Sequence, residues 1–116
     1  MQSELTENFT PFDLTRAARE FASEVGGTAE RKKKTLPAPE GLQTFLLYVR
    51  AQGHVPMHQV AGPITVQAVL GSARIMSQST IYELGSGNMI SLPAAVPHDV
   101  SASTETVLLV THALRD

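Results

Sequence analysis

The spacing of apolar residues changes once along this chain, close to residue 26. Before that point, apolar side chains recur every three or four residues over 13–25, which predicts one amphipathic helix. Pro11 suits a place at or just before the first turn of this helix. Gly26 and Gly27 predict its end, because glycine readily takes the left-handed conformation after a last helical turn. A helix this short is marginal alone, so we expect its apolar stripe to pack against another element.

After the helix, apolar residues recur at every second position to the end of the chain. Glycine and proline interrupt this pattern at short intervals, which indicates many short strands joined by tight turns. Such a succession is typical of an all-β sandwich or barrel. The predicted strands are 31–36, 42–50, 65–70, 73–77, 79–84, 89–92, 98–102 and 106–112. The segment 53–57 is interpreted as a turn.

Composition narrows the class of protein. The 116 residues suit one domain with one core, and they include no cysteine, which fits a reducing compartment. We expect a cytoplasmic location, because the sequence shows neither a secretory signal nor an apolar run of about 18 residues. The net charge of −2 argues against a nucleic-acid partner. The basic cluster 31–34 is interpreted as the solvated edge of a sheet.

Histidine is the residue type that can carry chemistry here. His58 and His98 each lie beside a strand, and antiparallel pairing of those strands can bring the two imidazoles together inside a barrel. Neutral imidazoles of this kind bind divalent metals. His54, in a predicted turn, and His112, near the end of the sequence, are both expected to be exposed. Asp99 follows His98 directly and is expected to point to the opposite side of the strand.

The segment 87–102 carries a resemblance to the second sequence motif of the cupins. That motif has a glycine, five residues, a proline, one residue, a glycine, two residues, a histidine, three residues and an asparagine. This sequence has Gly87, Pro93, Ala95, His98 and Ala102 at those positions. The spacing matches throughout, and alanine replaces the second glycine and the asparagine.

The first cupin motif is matched less completely. Its first histidine corresponds to His58, which follows Gly53 with one residue fewer than usual between them. The second histidine of the motif falls at Val60, and its glutamate falls at Ile64 or Thr65. Two of the four metal ligands that the resemblance implies are therefore absent.

The resemblance, which covers about 40–112, implies a small RmlC-like cupin. We therefore expect an all-β, double-stranded β-helix (jelly-roll) barrel with a short N-terminal α-helix. Residues 1–30 are expected to form an extension with this helix, and 31–116 the barrel. Small cupins are often dimers, and the edge strand 31–36 suits pairing with a second copy across a two-fold axis.

Three functional hypotheses follow for such a barrel. In the first, His58 and His98 hold a divalent metal (Fe, Mn, Ni or Zn), with His54, Gln67 or water completing the shell, as in cupin oxygenases, isomerases and lyases. In the second, a metal-free interior binds a sugar or an organic acid, with His58, Gln67 and His98 as polar anchors. In the third, the chain is a structural or interaction subunit.

Overall fold

The computed structural model describes residues 11–58 and 61–114. In these ranges the chain forms one helix followed by strands, as the change of pattern after residue 26 predicts. The helix is α1 (Leu14–Val25), and the strands are β1 (Arg31–Leu36), β2 (Leu42–Val49), β3 (His54–His58), β4 (Ile64–Leu70), β5 (Ala73–Ser77), β6 (Thr80–Leu84), β7 (Met89–Leu92), β8 (His98–Ala102) and β9 (Thr106–Ala113). Every predicted strand agrees with an observed strand to within one residue at each end.

Local hydrogen bonds explain where α1 begins and ends. The Asp13 carboxylate accepts a hydrogen bond from the backbone N–H of Arg16 at 3.1 Å, which satisfies one of the free donors of the first turn. Gly26 follows the last turn with φ at 55°, and its N–H donates to the carbonyl of Ala22. Helix α1 has 12 residues, and within the part of the chain that the structure describes no helix has the length and apolar character needed to cross a bilayer.

The strands form two antiparallel sheets whose inner faces pack together. The five-stranded sheet has the order β1-β2-β9-β4-β7, and the four-stranded sheet has the order β3-β8-β5-β6. Apolar side chains from both inner faces share one core, which comprises Ile64, Val66, Ala68, Ala73, Ile75, Leu84, Leu92, Val100, Leu108 and Val110. The predicted jelly-roll barrel is confirmed.

Helix α1 packs against the outer face of the five-stranded sheet. A second apolar cluster lies between them and comprises Ala18, Phe21, Ala22, Val25, Leu36, Leu46, Tyr48, Val69 and Val107. The apolar stripe of the helix therefore finds the packing partner that its short length requires.

Strand β3 is the element that the sequence interpretation missed. The segment 53–57 was expected to be a turn, but His54–His58 forms an edge strand paired with β8. Pro56 has no N–H to donate, and it lies where the register of β3 shifts between Val55 and His58. An edge position and a bulge are the two places where a sheet accepts proline, so here the proline does not end the strand.

Tyr48 connects the helix to the barrel through two hydrogen bonds. Its side chain is fully buried. The Tyr48 hydroxyl donates to Glu105 Oε2 at 2.7 Å, and the Tyr48 hydroxyl oxygen accepts from the Gly27 N–H at 3.1 Å. The Phe21 ring contacts the Tyr48 ring edge-on, at 6.3 Å between centroids. Burial raises the pKa of the Tyr48 phenol, and the hydrogen bond to Glu105 and the charge of Glu105 raise it further.

Replacement of Tyr48 by phenylalanine tests this connection. We expect Tyr48→Phe to lower the free energy of unfolding by about 1–3 kcal/mol, because the N–H of Gly27 and the carboxylate of Glu105 both lose a partner. Urea denaturation followed by circular dichroism measures the change. Tyr82→Phe, at an exposed tyrosine of β6, is the control and should change stability little.

The raised pKa of Tyr48 also predicts how stability depends on pH. The folded protein holds the phenolic proton more tightly than the unfolded chain, so the stability that this proton contributes is complete below the unfolded pKa of about 10. It is lost as the pH rises through the higher folded pKa. Wild-type protein and Tyr82→Phe should therefore lose stability above pH 10 more steeply than Tyr48→Phe, and equal slopes would contradict this expectation.

Candidate functional site

His98 is the most deeply placed histidine among the residues whose side chains the structure describes. It begins β8, is 3% exposed, and faces the barrel interior. Its Nδ1 lies 3.0 Å from the carbonyl oxygen of Val96. Because a carbonyl can only accept, Nδ1 carries a proton, and in the neutral ring Nε2 is then the nitrogen with the lone pair. This hydrogen bond orients the ring in the way that metal-binding histidines are usually oriented.

The loop before β8 determines the position of His98. In this loop, the carbonyl of Val96 contacts the His98 ring, and the carbonyl of Pro97 accepts a hydrogen bond from the Ser77 hydroxyl at 3.0 Å. Ala95 has φ at 64°, in the left-handed region that L-residues rarely adopt. Ala95 occupies the position where the cupin motif has its second glycine. The backbone has therefore kept the conformation that glycine favours although the residue is alanine.

His112 also lines the barrel interior, so the prediction that it is exposed is wrong. Its side chain is half-buried, and its Nε2 is completely buried with no hydrogen-bond partner among the described residues. Gly62 lies against the same nitrogen: a Cβ at this glycine would be 3.3 Å from Nε2 and would overlap the carbonyl of Ala113. A buried nitrogen without a hydrogen-bond partner lowers the stability of the folded state by about 1–3 kcal/mol.

His98 and His112 share one cavity of about 60 Å³ between the two sheets. Its other walls are apolar and comprise Phe45, Leu47, Ile64, Val66, Val100, Leu108 and Val110. Space of this size admits a few water molecules, each needing about 10–15 Å³. Pockets for drug-sized ligands have volumes of about 300–1,000 Å³, so this cavity alone is too small for a sugar.

The other predicted ligand of the pair, His58, lies beside His98 in the backbone register. The antiparallel pairing of β3 and β8 places the Cα of His58 opposite the Cα of His98. Val60, the position of the second motif histidine, lies outside the described residues. Ile64, one of the two positions where the motif glutamate falls, is buried in the interior and pairs with His112 across β4 and β9. An apolar side chain thus stands where the motif has a carboxylate, and a histidine lies next to it.

The structure does not bring His54 and Gln67 together with His98. The Nε2 of His54 lies 3.4 Å from Asp99 Oδ2, on the outer side of β3 and β8. Asp99 points away from the cavity, as its position next to His98 predicts. Gln67 pairs with Leu109 and projects on the opposite side of β4 from the core residues Val66 and Ala68. Among the residues whose side chains the structure describes, no cluster of three or more metal-ligating side chains is present.

The register of β9 contains the signal that identifies His112. Leu108, Val110 and His112 occupy every second position, so they share one face of the strand. Leu108 and Val110 are core residues, and strict alternation extends that face to His112. The position of His112 near the end of the sequence was a poor indicator of exposure, because β9 is the central strand of its sheet.

Solved structures with the same topology show what kind of fold this is. A cupin superfamily protein from Desulfitobacterium hafniense matches with a TM-score of 0.69 at 15% identity, over 73% of this chain and 78% of that one. The chain has the cupin fold. An RmlC-like cupin from Shewanella frigidimarina matches equally well, with a TM-score of 0.69 at 19% identity over 78% of this chain and 80% of its own.

The cupin fold by itself does not specify an activity for this chain. A salicylate 1,2-dioxygenase variant from Pseudoaminobacter salicylatoxidans matches 90% of the chain with a TM-score of 0.70 and 19% identity, but the match covers 34% of that enzyme. The sequence matches no protein-family model and no curated protein sequence. The function therefore depends on the chemistry of this chain's own residues.

A glycine at position 95 should stabilise this fold. Glycine relieves the cost of about 1–2 kcal/mol that an L-residue has in the left-handed region, and it loses part of that gain through the entropy of the unfolded chain. We therefore expect Ala95→Gly to raise the free energy of unfolding by about 0.5–1 kcal/mol. Ala94→Gly is the matched control, at an exposed alanine without a positive φ. It should be neutral or destabilising, and the same sign for both variants in urea denaturation would contradict the assignment of strain to Ala95.

Proposed function

We propose that the barrel interior binds a divalent transition-metal ion, with His98 and His112 as two of its ligands. The observation that carries this proposal is the buried Nε2 of His112, which has no hydrogen-bond partner among the described residues and faces the cavity that His98 also lines. A metal ion bound there would replace the missing partner. The two imidazoles come from opposite sheets, so an ion between them would also bridge the barrel.

The chemistry of the cavity walls supports a transition metal over a hard cation. Imidazole nitrogen suits Zn, Cu, Fe and Ni, whereas Mg and Ca prefer carboxylate and carbonyl oxygens. Among the described residues, the walls of the cavity include no carboxylate. The Val96 carbonyl holds the His98 ring in the tautomer whose Nε2 carries the lone pair. The volume of about 60 Å³ suits an ion with a few waters.

His58 is the third ligand that we propose. Its Cα is paired with that of His98 in the register of β3 and β8, which supports the pair expected from the sequence. Three imidazoles and open positions for water make a site that can act on an oxygen-bearing substrate. A metal held in this way supplies Lewis-acid activation of an oxygen atom or lowers the pKa of bound water. Oxygenase, isomerase and lyase activities remain the classes we propose for such a centre.

A metal-free binding site is the second candidate, and the apolar character of the cavity favours it. Seven of the nine wall residues are apolar, so the interior also suits the hydrocarbon part of a small organic molecule with one polar group on a histidine. This candidate predicts ligand binding by protein that has been stripped of metal. A structural subunit without any ligand would show neither kind of binding.

Cobalt titration tests the metal site directly. Protein freed of metal with a chelator should bind one equivalent of Co²⁺ and develop visible absorption bands. We expect His98→Gln, His112→Gln and His58→Gln each to weaken Co²⁺ binding by about tenfold or more. Loss of a residue that only hydrogen-bonds to a metal ligand already lowers metal affinity by about this factor. Glutamine retains a polar side chain of similar size, and circular dichroism verifies that each variant is folded.

His54→Gln is the matched control for the titration. His54 contacts Asp99 on the outer side of the barrel, so this change should leave Co²⁺ affinity as in the wild type. The interior site would be contradicted if His54→Gln weakened Co²⁺ binding and His112→Gln did not. Failure to bind a stoichiometric amount of Co²⁺, Zn²⁺, Fe²⁺, Ni²⁺ or Mn²⁺ would contradict the metal function as a whole.

A further inference from the structure

A groove opens between the edges of the two sheets. Strand β1 is the edge of the five-stranded sheet, and β3 is the edge of the four-stranded sheet. The groove has a volume of about 300 Å³, and its walls comprise Arg31, Lys32, Lys33, Phe45, Leu47 and Val55. This volume reaches the lower end of the range for small-molecule sites, which the interior cavity alone does not.

The groove and the interior cavity share a wall. Phe45 and Leu47 line both of them, and Val55 packs against the same core. A molecule lying in the groove would therefore contact the side chains that also enclose His98 and His112. The groove therefore lies directly beside the cavity, on the other side of these shared side chains.

Hydrogen bonds at one end of the groove tie the two sheet edges together. The backbone N–H of His54 donates to Glu30 Oε2 at 2.9 Å, and the His54 carbonyl accepts from the Arg31 guanidinium at 3.2 Å. These bonds link the start of β1 to the start of β3. The spacing between the two edges is thereby fixed at this end, so the groove is formed in advance of any ligand.

The basic cluster of β1 divides between the two faces of the strand. Lys33 pairs with Leu47, an interior residue, and its Nζ lies over the Phe45 ring at 4.6 Å from the centroid. Lys34 projects to the other face, where its Nζ lies 3.9 Å from Glu24 Oε1 and 5.8 Å from the centroid of the Phe21 ring. Among the described residues, Lys33 has no carboxylate within 4.0 Å. Residues 31–34 are all exposed on an edge strand, as the sequence predicts, and Lys33 in addition places a positive charge beside the apolar side chains of the groove.

We propose that this groove binds a small organic acid, with its carboxylate at Lys33 and its apolar part along Phe45, Leu47 and Val55. The proposal also names a substrate class for the proposed interior site. Binding of the acid in the groove does not depend on the proposed metal function, whereas a reaction of the acid at the histidines rests on it. A cation beside an apolar surface is complementary to an amphiphilic anion, because the charge and the hydrocarbon part each find a partner. The acid enters between β1 and β3, and its apolar end points toward the two histidines.

Hexanoate and hexanamide are suitable probes, because they share a shape and differ in charge. We expect the wild-type chain to bind hexanoate about fivefold more tightly than hexanamide in an NMR titration, the upper end for a partly exposed ion pair. Lys33→Gln should clearly reduce this preference, with Arg31 and Lys32 still present in the groove wall. Lys34→Gln removes the same charge from the next residue of the same strand, on the opposite face, and should retain the preference.

Three results would overturn the proposal. These are equal affinities of the wild type for hexanoate and hexanamide, absence of binding of either probe at millimolar concentration, and equal loss of preference in Lys33→Gln and Lys34→Gln. Amide signals of Lys33, Phe45 and Val55 that shift with protein concentration and do not respond to hexanoate would also overturn it, because a second copy would then cover the groove.

The test is independent of the metal site. The titration is performed on metal-free wild-type protein and on metal-free His112→Gln, in which the groove walls are intact. Preference for hexanoate in both supports the groove even if no metal binds to the interior. Loss of preference in both, with Co²⁺ binding to the wild type retained, overturns the groove and leaves the proposed function standing.

Discussion

Face-to-face packing of the two inner sheet faces is the interaction on which the other features of this protein depend. Each strand directs alternate side chains into the space between the sheets, and burial of a large aliphatic side chain there contributes about 1.5–3 kcal/mol. The same alternation decides which polar residues are inside. It places His98 and His112 among the core residues and leaves His54 and Gln67 on outer faces. The site follows from the packing pattern, because a shift of one residue in either strand would turn its histidine outward.

Much of the fold was predictable because local signals and the global architecture agree. Asp13, Gly26 and the apolar stripe between them define α1 without reference to the rest of the molecule. The strands follow from alternation and from the turn residues between them. Strand β3 was missed because Pro56 is a turn signal in isolation, and only its edge position and the bulge show why a strand tolerates it there. The basic residues of β1 indicate an edge strand, but the edge position of β3 is decided by long-range pairing that its local sequence does not encode.

The candidate site was predictable in part, for a different reason. The spacing from Gly87 to His98 placed one imidazole, and the structure shows Ala95 in the left-handed conformation at the position of a motif glycine. His112 belongs to no motif, and it meets His98 only because the two sheets close around one cavity. The basic residues of β1 were equally ambiguous in sequence. Whether a lysine belongs to solvent or to a groove depends on the strand face, and Lys33 and Lys34 differ in this respect although they are adjacent.

The structure thus presents two neighbouring environments with complementary chemistry. The interior is apolar with imidazole nitrogens, and the groove beside it is apolar with a positive charge at its rim. A metal ion suits the first, and an anion with a hydrocarbon part suits the second. If both proposals hold, charge at the groove would bind one end of a molecule while the other end approaches the histidines.

Nitrogen-15 NMR of the imidazole rings tests the central claim most directly, because the sequence has four histidines and each can be followed separately. In a titration with Zn²⁺, we expect the Nε2 resonances of His98 and His112 to shift together and to stop changing at one equivalent. The resonances of His54 should remain unchanged. Shifts confined to His54, or continued change of all four rings without saturation, would contradict a metal centre inside the barrel.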